Sequence, residues 1–217
     1  MSEVVGDAQR RHGAIYQNPS IESIRAKSRL DLYNACMKLT KKYEERFKKT
    51  VHLYSGKAVG FRADQIHVPH GQIAQREFMV HPGAVGILAL PAPDKILLVK
   101  QYRYPVHLFT YEIPAGKLSV GEKPLACVRR ELEEETGYRA NKVSKLVSFW
   151  PTAAFSTEVI HLYLATDLVK TQVNPDDDEF LEILTVSPRQ IERWMRSGKI
   201  RDSKTLIAYL AWKSLSR

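Results

Sequence analysis

Apolar side chains recur at steps of three and four residues between residues 20 and 48 of the chain, and no Gly or Pro interrupts them. This spacing places apolar residues on one face of a helix, so the segment is predicted to form one amphipathic helix or two. Between residues 50 and 80 apolar and polar residues alternate instead, and Gly56, Pro69 and Gly71 mark turns. The alternation predicts a small antiparallel sheet.

The rest of the chain mixes strand-like and helix-like patterns. Two apolar, β-branched segments at 84–90 and 95–101 flank the turn-forming sequence Pro-Ala-Pro-Asp and predict a hairpin in a buried sheet. A helix is predicted to begin at Pro124 and to end near Thr136, with Gly137 as its stop signal. Other predicted strands are 111–113, 145–150, 158–165 and 180–186, and other predicted helices are 188–197 and 203–215. The order predicts a mixed α/β core domain at 80–217 and an N-terminal appendage at 1–79.

Composition limits the classes of protein to be considered. The chain has 217 residues, of which 44% are hydrophobic, and this is enough for a substantial core. No segment approaches the run of about 18 apolar residues that a membrane-spanning helix needs, and the first residues lack the apolar block of a secretory signal. Cys36 and Cys127 are the only cysteines, which fits a reducing compartment. We therefore predict a cytoplasmic location and no membrane contact.

Charge is unevenly distributed along the chain. The net charge is +9, which favours phosphorylated small molecules or nucleic acids as partners, yet five glutamates fall within residues 122–135. On the predicted helix Glu131 and Glu135 lie one turn apart on the same side, with Glu134 beside them and Glu122 in the preceding loop. Each repulsive pair costs about 0.2–0.5 kcal/mol, so the cluster calls for a cation, and Mg²⁺ prefers such oxygen ligands. The alternative is an acidic helix that faces solvent.

The complete pattern decides between these alternatives. The sequence from Gly116 to Tyr138 fits G-x5-E-x7-R-E-U-x-E-E-x-G-U at every position, where U is apolar or aromatic. This pattern resembles the signature of the Nudix hydrolase superfamily. The resemblance implies an α/β/α sandwich with a mixed sheet, preceded here by the N-terminal helix and the small antiparallel sheet. It also implies hydrolysis of a nucleoside diphosphate that is linked to another group.

Three further segments, 99–105, 111–116 and 200–205, resemble the ADP-ribose pyrophosphatase and nucleoside-diphosphate-sugar branch of that superfamily. In that branch the metals are held by two glutamates one helical turn apart and by a backbone carbonyl. The resemblance assigns these roles to Glu131, Glu135 and Ala115. It makes Glu134 an outer or second-metal ligand and Glu122 a supporting acid, and the expected metal is Mg²⁺, with Mn²⁺ as an alternative. Arg130 is expected to orient the glutamates through a bidentate contact.

The resemblance also implies residues for binding and for proton transfer. Arg103 is expected near the substrate phosphates, with a surface ion pair as the alternative, and Arg76 is similar to a basic residue that approaches substrate in relatives. Glu112 is expected either at the metal edge or in bonds to backbone groups and Arg130, and the second option is favoured slightly. A glutamate on a loop after the signature acts as the general base in this branch. Glu179 is the first choice for that role and Glu182 the second.

The expected reaction is Mg²⁺-dependent hydrolysis of ADP-ribose, or of a hexose nucleotide such as GDP-mannose, to a nucleoside monophosphate and a phosphosugar. Ala153 and Ala154 stand where ADP-ribose-selective relatives have Pro-Gly, which weakens the assignment of the sugar. The alternatives are an RNA-cap or dinucleoside polyphosphate hydrolase and a non-catalytic nucleotide-binding module. The expected partners are a nucleoside diphosphate-linked small molecule and a second copy of the chain in a homodimer, and nucleic acid is not expected.

Overall fold

The computed structural model describes residues 42–56, 59–172 and 180–215. Most of the helix predicted at 20–48 lies outside these residues. The end predicted for that helix is wrong, because strand β1 (Arg46–Ser55) begins before Lys48. The β-branched residues Thr50 and Val51 favour the strand. The chain forms two compact units, and the described part of the first consists of residues 42–47 and 66–74.

The second unit contains all other described residues and begins with most of a three-stranded sheet. The sheet has the order β1-β2-β3, with β2 (Gly60–His67) and β3 (Ile73–Val80) following β1. This confirms the predicted small sheet. The Met79 N–H at the end of β3 donates to the Phe155 carbonyl at 2.9 Å, and the Met79 carbonyl accepts from the Thr157 N–H at 3.0 Å. These bonds attach the sheet to the loop that precedes β9.

Seven strands form two sheets in the core of the second unit. They are β4 (Ala84–Ala89), β5 (Ile96–Arg103), β6 (Leu108–Glu112), β7 (Ala115–Lys117), β8 (Tyr138–Phe149), β9 (Ile160–Lys170) and β10 (Glu182–Val186). One sheet has the order β7-β4-β9-β8 and is mixed, because β4 runs parallel to β9 while its other pairs are antiparallel. The other sheet has the order β10-β5-β6 and is antiparallel. The predicted mixed sheet is therefore confirmed.

The hairpin predicted for 84–90 and 95–101 is wrong. Both segments form strands, but β4 and β5 belong to different sheets. The physical reason is that both hydrogen-bonding edges of β4 are already used, one by β7 and the other by β9. Pro91 and Pro93 fall in the connection between β4 and β5, where each lacks a backbone donor for strand pairing.

Three α-helices lie wholly within the described residues: α1 (Pro124–Thr136), α2 (Pro188–Arg196) and α3 (Ser203–Leu215). All three confirm predicted helices. The αL conformation of Gly137 (φ 64°) ends α1, and its N–H donates to the Glu133 carbonyl. The Ser187 hydroxyl caps α2 by accepting from the Gln190 N–H at 3.2 Å. No helix within the described ranges is long and apolar enough to cross a membrane.

The core lies on both faces of the mixed sheet, and β4 is buried on both. Val85, Ile87 and Ala89 of β4 join the cluster that contains Cys127, Val128 and Leu132 of α1. Leu88 belongs to a second cluster, with buried side chains of β5, β9, α2 and α3. Each fully buried large apolar side chain contributes about 1.5–3 kcal/mol. The layers form the predicted α/β/α sandwich, with α1 held firmly against the sheet.

Candidate active site

Arg130 of α1 lies at the centre of the acidic cluster. Its Nη1 atom is 2.9 Å from Glu134 Oε2 and 2.7 Å from Glu131 Oε1. Its Nε and Nη2 atoms donate to the two oxygens of Glu122, each at 3.0 Å. Helical spacing brings Glu134 beside Arg130, one turn along α1, while Glu122 approaches from the loop before the helix. One guanidinium therefore contacts three carboxylates, and its contact with Glu122 is bidentate.

Glu122 and Arg130 form a tightly coupled ion pair. The hydrogen bonds from Arg130, followed by a hydrogen bond from the Ser119 N–H, lower the pKa of Glu122 to about 2. The same contact raises the pKa of Arg130 above its usual range. Both groups therefore stay charged at neutral pH, and Glu122 fixes the plane of the guanidinium that the other glutamates contact.

Glu131 and Glu135 reach the backbone between β6 and α1. Oε2 of Glu135 accepts a hydrogen bond from the Ala115 N–H at 3.0 Å. A Cβ atom at Gly116 would lie only 1.8 Å from Cδ of Glu131, so the carboxylate rests directly on the glycine backbone. Glu131 is 8% exposed and Glu135 is 4% exposed. Two buried carboxylates thus converge on residues 115 and 116.

The donor set around these carboxylates fits a hard divalent cation. Glu122, Glu131, Glu134 and Glu135 carry four negative charges against the one positive charge of Arg130. Buried carboxylates are costly without compensating charge, and oxygen ligands are those that Mg²⁺ binds. In the described ranges no group of three or more His, Cys, Asp or Glu side chains is arranged so that it could coordinate a metal ion. A cation here therefore needs backbone oxygen, water or substrate phosphate as additional ligands.

A cleft of about 730 Å³ opens beside this cluster. Three of its lining residues were predicted as site residues: Arg103, Glu112 and Ala115. The cleft wall also carries the cationic side chains of Lys117, Arg201 and Lys204, so that with Arg103 four cations stand against the three carboxylates of Glu112, Glu158 and Asp202. Its volume falls within the range of about 300–1,000 Å³ that is typical of small-molecule sites. A basic wall next to an acidic cluster suits an anion that binds together with a metal.

Glu112 lies elsewhere than the sequence suggested. It forms no bond with Arg130; instead it accepts from Nε and Nη2 of Arg103 at 2.9 and 2.7 Å, from the Thr110 hydroxyl at 2.6 Å and from Lys204. Burial alone would raise the pKa of Glu112, but Arg103 and Lys204 together lower it to about 2. Arg103 does form an ion pair, but its partner is the buried carboxylate of Glu112 in the cleft wall and not a carboxylate on the surface.

Two other predicted site residues, Arg76 and Glu182, are not among the residues that line the cleft. Arg76 lies on an exposed part of β3, where its Nη1 donates to the Gln75 carbonyl at 3.1 Å. Glu182 begins β10 and pairs with Lys100 at 2.6 Å. Glu179 lies outside the described residues, so its role stays a prediction.

Sequence reasoning gave no role to Lys204, which proves to be part of the cleft wall. Its Nζ contacts Glu112, a residue 92 positions earlier, and Asp202 at 2.9 Å. The available signal was weak: the 200–205 segment resembles that of relatives, and Asp202 precedes a predicted helix. A lysine in a helical first turn is ordinary on the surface, and only the packing of α3 makes it a buried cation.

Comparisons with known proteins agree with this architecture. The family described as "NUDIX domain" matches residues 80–208. The chain is 41% identical to a methanol dehydrogenase activator of Bacillus methanolicus and 38% identical to an ADP-ribose pyrophosphatase of Bacillus subtilis (strain 168). Each alignment covers 77% of this chain and 92% of the relative. A crystal structure of an ADP compounds hydrolase matches with a TM-score of 0.67 at 17% identity, covering 78% of this chain and 95% of that chain. The last match shows the shared fold.

The contact between Gly116 and Glu131 leads to a prediction. In Gly116→Ala the new methyl group would lie 1.8 Å from Glu131 Oε1, so the carboxylate must move. We expect a loss of about 100-fold or more in hydrolysis of a nucleotide sugar such as ADP-ribose, with a loss of unfolding free energy within about 1–3 kcal/mol. Steady-state kinetics and urea unfolding measure the two effects.

Gly121→Ala is the matched control. Gly121 has φ +77° and nothing lies within 4 Å of an added Cβ, so this variant introduces backbone strain without displacing a glutamate. We expect Gly121→Ala to lose some stability and to keep its turnover. Equal turnover in the two variants would contradict the role given to the Glu131 position.

Proposed function

The chain belongs to the NUDIX domain family and is a hydrolase, and we propose that it cleaves the pyrophosphate bond of a nucleoside diphosphate sugar with the help of Mg²⁺. The products are a nucleoside monophosphate and a phosphosugar. The observation that carries the proposal is the convergence of buried Glu131 and Glu135 on residues 115 and 116, at the edge of a cleft with a basic wall.

Glu131, Glu135 and the carbonyl of Ala115 are the proposed metal ligands, with Glu134 as an outer ligand. When bound, Mg²⁺ would supply positive charge to the phosphate oxygens of the substrate. Arg130 orients Glu131 and Glu134, because it contacts both carboxylates while Glu122 holds its guanidinium. Its own charge also limits the repulsion within the cluster, which otherwise would spread the glutamates apart.

ADP-ribose is the first proposed substrate. The support is the 38% identity with a relative named ADP-ribose pyrophosphatase, over 92% of that relative. A hexose nucleotide such as GDP-mannose is the second choice, because Ala153 and Ala154 depart from the pattern of ADP-ribose-selective relatives. Arg103 in the cleft wall is the proposed partner of the diphosphate, since a planar cation can donate to two phosphate oxygens at once. Arg76 keeps only an assisting role in this proposal.

Glu179 is the proposed general base that takes a proton from the attacking water. Glu182 is the weaker choice, because it is paired with Lys100 across strands β10 and β5 of the antiparallel sheet β10-β5-β6. The proposed location is the cytoplasm, where the buried thiol of Cys127 would stay reduced.

We further propose that residues 1–79 form a dimerisation region and residues 80–217 the hydrolase domain. The support is an apolar patch on the second unit, formed by Leu53, Tyr54, Phe61 and Phe155, each at least 50% exposed. These side chains line a cleft of about 470 Å³ together with Phe78 and Met79. Exposed aromatic patches of this kind mark interaction surfaces, and a second copy of the chain is the proposed occupant.

The 41% identity with a protein named methanol dehydrogenase activator favours a second candidate role, activation of an alcohol dehydrogenase. The rate of a purified methanol dehydrogenase with and without the chain tests this role. A binding module without catalysis is disfavoured, because every position of the signature is present.

A substrate panel with Glu135→Gln tests the proposed reaction. We expect ADP-ribose or a hexose nucleotide to give monophosphate and phosphosugar with Mg²⁺, and expect capped RNA and dinucleoside polyphosphates to react poorly. Glu135→Gln should lower kcat by about 100-fold or more, because one metal-facing charge is lost. Glu133→Gln on the same helix is the control and should keep its activity. Wild-type turnover in Glu135→Gln would refute the proposed metal role.

Two glutamine variants test the assignment of the base. Glu179→Gln should lower kcat by about 10²–10⁴-fold, the usual contribution of a general base, and should remove the acidic limb of the pH–rate profile. Glu182→Gln removes a carboxylate that pairs with Lys100 and should change kcat little. The reverse order of effects would move the base to Glu182.

Sedimentation velocity tests the proposed dimer. Leu53→Asp places a charge in the apolar patch and should shift the protein from dimer to monomer. Val120→Asp changes a fully exposed residue away from the patch and should leave the dimer intact. A monomeric wild-type protein, or equal behaviour of the two variants, would rule out this surface as the interface.

A further inference from the structure

Four charged side chains form a connected network in the wall of the cleft: Arg103, Glu112, Asp202 and Lys204. Arg103 donates two hydrogen bonds to Glu112, and Lys204 joins Glu112 to Asp202. We call these four residues the cleft-wall network. Two positive and two negative charges balance within it, and all four residues line the cleft.

Lys204 is the least expected member of the network. It is only 8% exposed, and burial of an ammonium group is costly unless acceptors surround it. Buried ion pairs add little to stability on average, and well-packed apolar residues often do as well in their place. A contribution to the stability of the fold therefore does not by itself explain a buried lysine at this position in the cleft wall.

The start of α3 fixes the position of Lys204. Asp202 Oδ2 accepts from the Thr205 N–H at 2.9 Å and from the Thr205 hydroxyl, so it caps the helix. The Thr205 hydroxyl oxygen in turn accepts from the Ile113 N–H at 2.9 Å. The residue next to Glu112 is thus hydrogen-bonded to the residue next to Lys204.

Glu112 is the only member of the network that both cations contact. Its Oε2 accepts from Lys204 and from Nη2 of Arg103, while its Oε1 accepts from Nε of Arg103 and from the Thr110 hydroxyl. Arg103 uses two of its five N–H donors in this way, and its side chain stays 45% exposed. Its other donors can therefore face an anion in the cleft.

We propose that Lys204 is a positioning residue for the hydrolysis: it holds Glu112, and Glu112 aims the guanidinium of Arg103 at the diphosphate of the substrate. This inference rests on the proposed function. When Lys204 is replaced by an uncharged residue, no cation remains between the carboxylates of Glu112 and Asp202. The two carboxylates then repel each other, and Glu112 moves. Arg103 then loses its orientation.

Lys204→Met is the first test, because methionine has a similar length and no charge. We expect the KM for ADP-ribose to rise about tenfold or more with a smaller change in kcat. The dissociation constant for ADP-ribose, measured by calorimetry in EDTA where turnover is blocked, should rise by a similar factor. Lys213→Met is the control: Lys213 pairs with Glu192 at 3.2 Å outside the cleft, and both constants should stay unchanged.

A double-mutant cycle with Arg103→Ala separates positioning from a general structural effect. If Lys204 acts through Arg103, Lys204→Met should weaken binding less than about twofold in the Arg103→Ala background. A tenfold effect in both backgrounds would overturn the proposal. If Lys204→Met does not fold, Lys204→Gln replaces it, because glutamine can still donate a hydrogen bond while it removes the positive charge between Glu112 and Asp202.

The outcomes also distinguish this inference from the proposed function. Absence of wild-type turnover with every nucleotide sugar would refute the proposed function, and the calorimetric cycle in EDTA would still decide the role of Lys204. Wild-type protein that neither turns over nor binds ADP-ribose would refute both. Turnover by the wild type together with an unchanged KM and dissociation constant in Lys204→Met would refute the positioning role alone.

Discussion

Repulsion between carboxylates is the constraint on which the site depends. Glu122, Glu131 and Glu134 contact one guanidinium, and Glu135 lies one helical turn from Glu131 on α1. Glu131 and Glu135 are buried. Arg130 offsets part of the repulsion and fixes the geometry of Glu122, Glu131 and Glu134. The remaining negative charge makes the cluster a strong attractor for a divalent cation. The helix that carries it is packed against β4 through Cys127, Val128 and Leu132.

The second requirement is that an anion should approach this negative cluster. The basic residues of the cleft wall provide the positive charge that an anion needs, since Arg103, Lys117, Arg201 and Lys204 all line the cleft beside residues 115 and 116. Arg103 and Lys204 are in turn paired with Glu112, and Lys204 is also paired with Asp202. A diphosphate bridges such a pair of surfaces naturally, because it carries negative charge for the basic wall and oxygen ligands for a metal.

The N-terminal sheet has a different character. Its strands expose Leu53, Tyr54 and Phe61, and the nearby loop exposes Phe155. The loop is bonded to β3 through Met79, so the patch is a continuous surface of the second unit. The patch and the cleft share no lining residue, so the surface proposed for dimerisation is separate from the one proposed for substrate.

The amino-acid sequence by itself determined α1 and its carboxylates. Pro124, Gly137 and the spacing of Glu131 and Glu135 are local features, and a helix satisfies its hydrogen bonds within a few residues. Sequence also predicted the sandwich and the reaction class, through the signature. It failed for the pairing of β4 and β5 and for the partners of Glu112. Strand edges and ion pairs are chosen among groups far apart in the chain, and Lys204 lies 92 residues from Glu112. Only tertiary packing decides which of these distant groups meet, because nothing in the local spacing of a strand or a single lysine specifies its partner.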